Sequence, residues 1–152
     1  RILEEVYFAC DRLGVVLEGT LLKPSMTVPG AECDTQSDPK EVAKNTINVM
    51  LKSLPKEVPG ITFLSGGLSE EAASVYLNEM NSIIDTPWNV SFSYGRALQH
   101  SCLRAWGGSD VEAGQAALIA RAQANSEASK GVYVPGSQPS SDEKLFVAGY
   151  TY

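Results

Sequence analysis

The chain has 152 residues, a length suited to one domain with a sizeable core, and its 43% hydrophobic and 20% charged residues are those of an ordinary soluble globular protein. A net charge of −6 without any Lys/Arg run argues against nucleic-acid binding, and no apolar segment approaches the roughly 20 residues needed to span a membrane. Cys10, Cys33 and Cys102 are odd in number and widely spaced, and His100 is the single histidine, so neither a disulfide framework nor a metal site nor a Ser-His-Asp triad is expected, and a reducing compartment is.

Residues 1 to about 13 carry Ile2, Val6 and Ala9 at helical spacing, with Leu3 and Cys10 beside them. No signal peptide is read there: Arg1-Ile2-Leu3-Glu4-Glu5 looks like the interior of a longer chain. After Gly14, the run Val15-Val16-Leu17 with Leu21-Leu22 predicts a strand covered on both faces of a parallel sheet. Alternation puts Lys23 on the face of Leu21, Gly19, Leu17 and Val15, and Pro24 stops the ladder immediately after it. Composition from Gly30 to Ser37 is loop-like. Asp38-Pro39-Lys40-Glu41 supplies a cap, a proline at the first helical position and an acid at the third, and the helix runs to about Leu54 with Val42, Thr46, Val49 and Met50 as its face.

Pro55 and Pro59 break that helix, and Gly60 to Ser65 reads as a second strand ending in Gly66-Gly67. Ser69 can cap the next helix, with Glu70 and Glu71 in its first turn and an end near Asn81. A third strand, Asn89 to Tyr94, ends in Gly95, and Arg96 opens a helix that closes at Trp106-Gly107-Gly108. Ser109-Asp110-Val111-Glu112 is a capping-box pattern for a last helix, whose stripe of Ala113, Ala117, Ala120, Ala124 and Ala128 suggests close packing before Gly131 ends it. Residues 131–152, rich in Ser, Gly and Pro and closing in Tyr150-Thr151-Tyr152, read as a mobile tail. Alternating elements of this kind call for a parallel sheet with helices outside, but three strands are few for an eight-stranded barrel of about 250 residues. The sequence reads as an α/β partial barrel over 1–130 with a tail over 131–152.

Lys23 alone reads either as a solvated lysine following a strand or as a nucleophile, since partial burial disfavours a charged amine and a neutral amine can attack a ketone. Ser65-Gly66-Gly67 and Ser93-Tyr94-Gly95-Arg96 also fall at strand carboxyl ends and run into helix N-termini, where glycine allows close approach and unpaired N–H groups favour an anion. Arg96 adds a fork of donors suited to phosphate. Gly66-Gly67 could be a tight turn and Arg96 a solvated helix start. Three such ends on one rim favour a phosphorylated carbonyl substrate.

Glu18-Gly19-Thr20-Leu21-Leu22-Lys23-Pro24-Ser25-Met26 resembles the Schiff-base lysine segment of class I fructose-1,6-bisphosphate aldolase. Gly60 through Gly67 with Ser69-Glu70-Glu71, Phe92 through Leu98, Leu103 through Gly108, Arg121 through Ser126 and the closing Tyr152 resemble further segments of that family, so the similarity covers essentially the whole chain. The resemblance implies the C-terminal portion of a (β/α)8 TIM barrel, strands six to eight with their helices. It implies that Lys23 forms an iminium with the ketone of fructose 1,6-bisphosphate or dihydroxyacetone phosphate, and that Ser65, Gly66, Gly95 and Arg96, with Ser93 close by, hold the phosphate. Tyr152 would take part in enamine proton exchange. No metal or other cofactor is implied, because the protonated imine withdraws the electrons.

Thr27-Val28 and Leu68 depart from the usual family residues, Val-Thr and Gln, at positions without a catalytic role. The family's general acid/base carboxylates, a further active-site lysine and the second phosphate site lie on earlier strands, and Glu18 faces away from Lys23 and does not replace them. Cleavage by these 152 residues alone is therefore not expected. The expected partners are a phosphorylated sugar, the remaining N-terminal barrel segment and further copies in a homotetramer, in the cytoplasm or alternatively a plastid, with no nucleic acid and no membrane. The alternative function is a non-catalytic fragment or scaffold that keeps a phosphate-binding rim.

Overall fold

A computed structural model describes residues 1–30, 32–35, 38–83 and 85–149. In chain order these form α1 (Ile2–Arg12), one 3-10 turn (Leu17–Gly19), α2 (Pro39–Ser53), β1 (Gly60–Phe63), α3 (Glu70–Ile83), β2 (Asn89–Phe92), α4 (Arg96–Trp106) and α5 (Val111–Ala128). The helix starts follow the side chains that can satisfy orphan N–H groups. Asp38 accepts from the Lys40 N–H at 3.4 Å with Pro39 at the first position of α2, and Ser69 accepts from the Ala72 N–H at 3.1 Å to open α3. At α5 the cap is Asp110, which accepts from the Ala113 N–H at 3.0 Å, one residue beyond the Ser109 of the expected capping box. Gly107 closes α4 in the left-handed region at φ 50°, as a helix-ending glycine does.

Two helical faces differ from their expected stripes. On α1 the residues packed toward the core are Leu3 and Tyr7, while Ile2 and Val6 are exposed. On α2 the buried face is Val42, Ala43, Thr46, Ile47 and Met50, and Val49 points to solvent.

The expected first strand is the larger correction. Residues 15–20 form no strand; Leu17–Gly19 wind into the 3-10 turn, closed by the Thr20 N–H and Thr20 hydroxyl, both on the Leu17 carbonyl at 3.0 and 2.8 Å. Only at Leu22 does the chain join the sheet. Leu22 bridges Ile61 in parallel, donating to the Gly60 carbonyl at 3.2 Å and accepting from the Thr62 N–H at 2.8 Å, and Leu64 then donates to the Pro24 carbonyl at 3.0 Å. Nor is the run covered on both faces: Val16 is 70% and Leu21 64% exposed. No strand pairs with the outer edge of Leu22 among the described residues.

β1 and β2 pair in parallel with Ile61 opposite Val90 and Phe63 opposite Phe92, so Leu22, Ile61 and Val90 stand in one row across three segments. Alternation then gives the sheet two unlike faces. Ile61, Phe63 and Val90 are buried with Ile47 and Met50 of α2 and Leu77 and Met80 of α3, whereas Thr62 and Leu64 are half-exposed and Lys23 is exposed. α3 lies centrally, against α2, α4, α5 and β2, and α5 also packs along α4. The alanine stripe of α5 permits that approach, and Gly114 tightens it, because a Cβ there would stand 2.9 Å from the Trp106 Cβ.

Candidate active site at the strand ends

The register fixes how the three strand ends relate. Lys23 is level with Thr62, three residues before Ser65, whereas Ser65 is level with Tyr94 because Phe63 faces Phe92. At about 3.3 Å per residue and about 4.8 Å between strands, the Lys23 backbone lies roughly 10 Å below the Ser65 turn and one strand across from it. A lysine side chain extended along the face spans much of that gap. An electrophilic carbon bonded to the neutral amine of this side chain would carry its adjacent substituent toward the Ser65 and Gly95 turns. Lys23 does not have the partial burial expected for it: its side chain is exposed.

The second strand end is a tight turn. Ser65 is buried, Gly66 and Gly67 follow at φ 56° and 85°, and Leu68 donates to the Ser65 carbonyl at 2.9 Å. Both φ values lie where a Cβ is costly, so this backbone requires glycine. The third end is held beside the second by the Ser93 N–H on the Phe63 carbonyl at 2.8 Å. Gly95 caps α4, its carbonyl accepting from Leu98 at 3.0 Å and Gln99 at 3.1 Å, which aims the first N–H groups of that helix at the rim. Ser65, Gly66, Ser93, Gly95 and Arg96 are thus brought to neighbouring turns at one end of the sheet.

The C-terminal segment, read from the sequence as a mobile tail, lies across this rim as far as Phe146. The Leu145 N–H donates to the Gly67 carbonyl at 2.9 Å, and the Leu145 carbonyl accepts from Arg96 Nη1. Phe146 is pressed so closely on Gly67 that a Cβ on the glycine would fall 2.8 Å from the Phe146 Cα. Between α4 and this strap is a cleft of about 310 Å³ that includes Arg96, Gln99, His100 and Leu103. Glu143 closes its far side, with its carboxylate 3.1 Å from Arg104 Nη1 and 3.2 Å from His100 Nε2. Tyr152, the other expected catalytic residue, lies outside the described residues.

Behind the rim is a buried polar cluster built on the first turn of α3. Glu70 is fully buried, its carboxylate accepting from the Ser101 N–H at 2.9 Å, from the Ser101 hydroxyl and from the Ser141 N–H at 3.0 Å. Glu71 accepts from the Tyr133 hydroxyl, the Gly136 N–H at 2.9 Å and the Ser140 hydroxyl at 2.8 Å. Arg121, also fully buried, donates to the Glu70 carbonyl at 2.9 Å, the Ser74 hydroxyl and the Pro139 carbonyl at 3.3 Å, and stands 3.9 Å from the Glu71 carboxylate. Burial and the Glu71 carboxylate push the Tyr133 hydroxyl above its ordinary pKa, and burial does the same to Tyr94, whose hydroxyl donates to the Ala73 carbonyl at 2.9 Å. Both remain protonated donors. The sequence put Glu70 and Glu71 in the first turn of α3 and Arg121 on α5, but nothing in it joined them into a cluster. Among the described residues no group of three or more His, Cys, Asp or Glu side chains is placed to hold a metal ion.

Comparison with known proteins matches residues 1–152 to the family described as glycolytic, fructose-bisphosphate aldolase class-I. The whole chain aligns at 48% identity with fructose-bisphosphate aldolase 1, chloroplastic, of Arabidopsis thaliana, covering 39% of that protein. It aligns at 48% with fructose-bisphosphate aldolase B of Homo sapiens, covering 43%, and at 45% with fructose-bisphosphate aldolase 4, cytosolic, of Arabidopsis thaliana, covering 40%. The fold matches fructose-bisphosphate aldolase from Plasmodium falciparum, crystallised with TRAP and a small-molecule inhibitor, at a TM-score of 0.86 and 44% identity over 89% of this chain and 40% of that one. The chain thus spans about two fifths of the length of these relatives, which include both a chloroplastic and a cytosolic protein.

Proposed function

This chain belongs to the class-I fructose-bisphosphate aldolase family, and we propose that it carries the carbonyl-trapping and phosphate-holding part of that enzyme's site, on the C-terminal strands of a (β/α)8 barrel. The observation that carries this reading is the row of three strand ends. It sets a lysine three residues below two glycine turns and a helix N-terminus with an arginine, over a stretch that the family matches from end to end.

In this reading the Lys23 amine attacks the ketone carbon of dihydroxyacetone phosphate or fructose 1,6-bisphosphate, and loss of water leaves a protonated imine. With the bisphosphate, the C3–C4 bonding pair flows into that imine. The products are an aldehyde, glyceraldehyde 3-phosphate, and an enamine on the three-carbon half. The backbone of Ser65, Gly66 and Gly95, the Arg96 guanidinium and the nearby Ser93 hold the phosphate next to the ketone. Arg96 supplies charge and fixed geometry, and the α4 N-terminus supplies oriented N–H groups. The Tyr152 hydroxyl exchanges the proton that turns enamine into imine before hydrolysis frees the ketone. Breaking the carbon–carbon bond also requires acid/base groups on the remaining length of the enzyme, so that segment is the first partner of this chain, with assembly into a tetramer following. A second reading, a non-catalytic piece that keeps the phosphate rim, is favoured by the exposure of Lys23.

The test is intact-mass spectrometry after incubation with dihydroxyacetone phosphate and borohydride, which reduces and so fixes an imine. An adduct mapping to Lys23 is expected. Phosphate-ligand binding with no adduct would support the second reading and remove the first.

A further inference from the structure

The two turns of the proposed phosphate site lead into different helices. The Ser65-Gly66-Gly67 turn passes through Ser69 into α3, whose first residue is Glu70, and the other turn is the N-terminus of α4 at Gly95 and Arg96. Strand pairing through the Ser93 N–H holds the strands together, but α4 departs from the sheet after Gly95. Packing on α5 secures the far end of α4, where Gly114 lies against Trp106, whereas Gly95 gives the near end no side-chain cap. What grips the helix between these ends is Glu70. Its fully buried carboxylate takes the Ser101 N–H at 2.9 Å and the Ser101 hydroxyl, five residues along α4 from Arg96, with the Ser141 N–H at 3.0 Å as a third donor. Ser101 shares a helix face with Ala97, which is also fully buried, so the grip is on the inward side of α4.

We propose that Glu70 is a positioning residue for the phosphate rim: it locks α4 to the Gly66-Gly67 turn, so that Arg96 and the first N–H groups of α4 face the same phosphate as Ser65 and Gly66. This role rests on the phosphate-holding reading given under the proposed function. Glu70 touches no reacting atom and acts through α4. Its own place is fixed from behind, since its carbonyl accepts from Arg121 Nη2 at 2.9 Å and from the Ser74 hydroxyl at 3.1 Å. A buried carboxylate is costly unless its oxygens are occupied, and an apolar pair would pack two helices equally well. Directional bonds add what apolar packing lacks, a fixed register between the helices. At about 1.5 Å per residue Ser101 lies about 7.5 Å along the axis from Arg96, so slippage at Ser101 is carried along the helix to the rim. Misplacement of a positioning group by about 1 Å can cost about a hundredfold.

The test is made in the complete enzyme by borohydride trapping at Lys23 with two ketones, dihydroxyacetone phosphate and dihydroxyacetone, which differ only in the phosphate. Each is titrated to half-maximal trapping, and the parent is expected to need far less of the phosphorylated ketone. Glu70→Gln keeps the shape of the side chain but sets one acceptor oxygen and an amide donor where three donors converge. It is expected to raise the half-maximal concentration of dihydroxyacetone phosphate about tenfold and to leave that of dihydroxyacetone within about twofold of the parent. Ser101→Ala removes only the hydroxyl and guards against a failure of Glu70→Gln to fold. It is expected to raise the same concentration by about threefold, again for the phosphorylated ketone alone. Equal rises for both ketones would make Glu70 a structural residue only and overturn the positioning role, as would a parent-like preference in both variants. A parent that traps the two ketones alike would instead overturn the phosphate-holding reading, and this role with it.

Discussion

The strap that crosses the rim rests on one glycine, and that contact can be tested against its neighbour. Gly66 and Gly67 are both left-handed, so alanine at either costs about 1–2 kcal/mol of backbone strain. They differ in what a Cβ would meet. At Gly66 it would stand 3.3 Å from the Leu64 Cδ1, the end of a side chain that can turn aside. At Gly67 it would stand 2.8 Å from the Phe146 Cα and 3.2 Å from the Phe146 nitrogen, and a backbone can yield only by moving away. That displacement breaks the Leu145 N–H bond to Gly67, about 0.5–1.5 kcal/mol, and the charged bond from Arg96 to the Leu145 carbonyl, about 1.5–3 kcal/mol. Opening of the strap becomes easier by about 2 kcal/mol or more, which is roughly 30-fold at 1.4 kcal/mol per decade.

The assay is exchange of the Leu145 amide, measured beside the urea midpoint of each variant. Gly66→Ala should lower the midpoint while leaving Leu145 exchange close to that of the parent. Gly67→Ala should lower the midpoint comparably and abolish protection at Leu145. If the two alanines affect Leu145 alike, the strap is not held by this contact and the reasoning fails.

Two further outcomes follow from the same geometry. Tyr94 and Tyr133 hold their protons in the native chain above the ordinary value of 10.0 that they regain on unfolding. Below pH 10 the two states bind the same protons. Above it the unfolded state releases protons that the native state keeps, so stability falls as pH rises, by up to about 1.4 kcal/mol per pH unit per tyrosine. Tyr94→Phe should make this alkaline decline in the urea midpoint shallower, and a slope identical to that of the parent would contradict it. Gly131 ends α5 at φ 70°, where a Cβ would fall 2.9 Å from the Asn81 carbonyl carbon and oxygen. Strain alone is about 1–2 kcal/mol and the clash adds to it, so Gly131→Ala should lower the urea midpoint by about 1 M for an m-value near 2 kcal/mol/M. A shift below about 0.3 M would show that the contact relaxes freely.

What could be read from the sequence was what depends on a few adjacent residues. Asp38-Pro39, Ser69 and Gly107 mark helix ends because each satisfies or releases a backbone group within one turn. The glycine turns at Gly66-Gly67 and Gly95 were legible for the same reason. The run from Val15 to Leu22 was not. Its hydrophobicity fits a buried strand, but Glu18-Gly19 interrupts it and the Thr20 hydroxyl closes a turn on Leu17. The face of α2 was misjudged at Val49 because Val49 and Met50 lie adjacent on one edge of the apolar stripe, and only packing decides which one turns in. Nothing local could reveal the strap. Ser140 meets Glu71 across 69 positions and Leu145 meets Arg96 across 49, contacts set by the path of the whole segment.

The two unlike faces of the sheet bear directly on how the proposed site works. The helix-covered face is complete: Ile61 and Phe63 are fully buried, and Val90 nearly so. The other face, which carries Lys23 of the proposed site, is open, with Lys23 exposed and Leu21, two residues before it, 64% exposed. Covering side chains of that kind stabilises by about 1.5–3 kcal/mol each, so the exposed edge at Leu22 is an attractive place for another strand of a longer or complementing chain. The same step would enclose the amine, and enclosure is what strengthens the electrostatic and hydrogen-bonding interactions on which imine formation relies. The rim does not wait for that enclosure. Gly66, Gly67, Gly95 and Arg96 take their geometry from turns, a helix cap and a strap that lie within this chain. The phosphate-holding part of the proposed site is therefore built locally, and the reactivity of the lysine is left to whatever covers the open face.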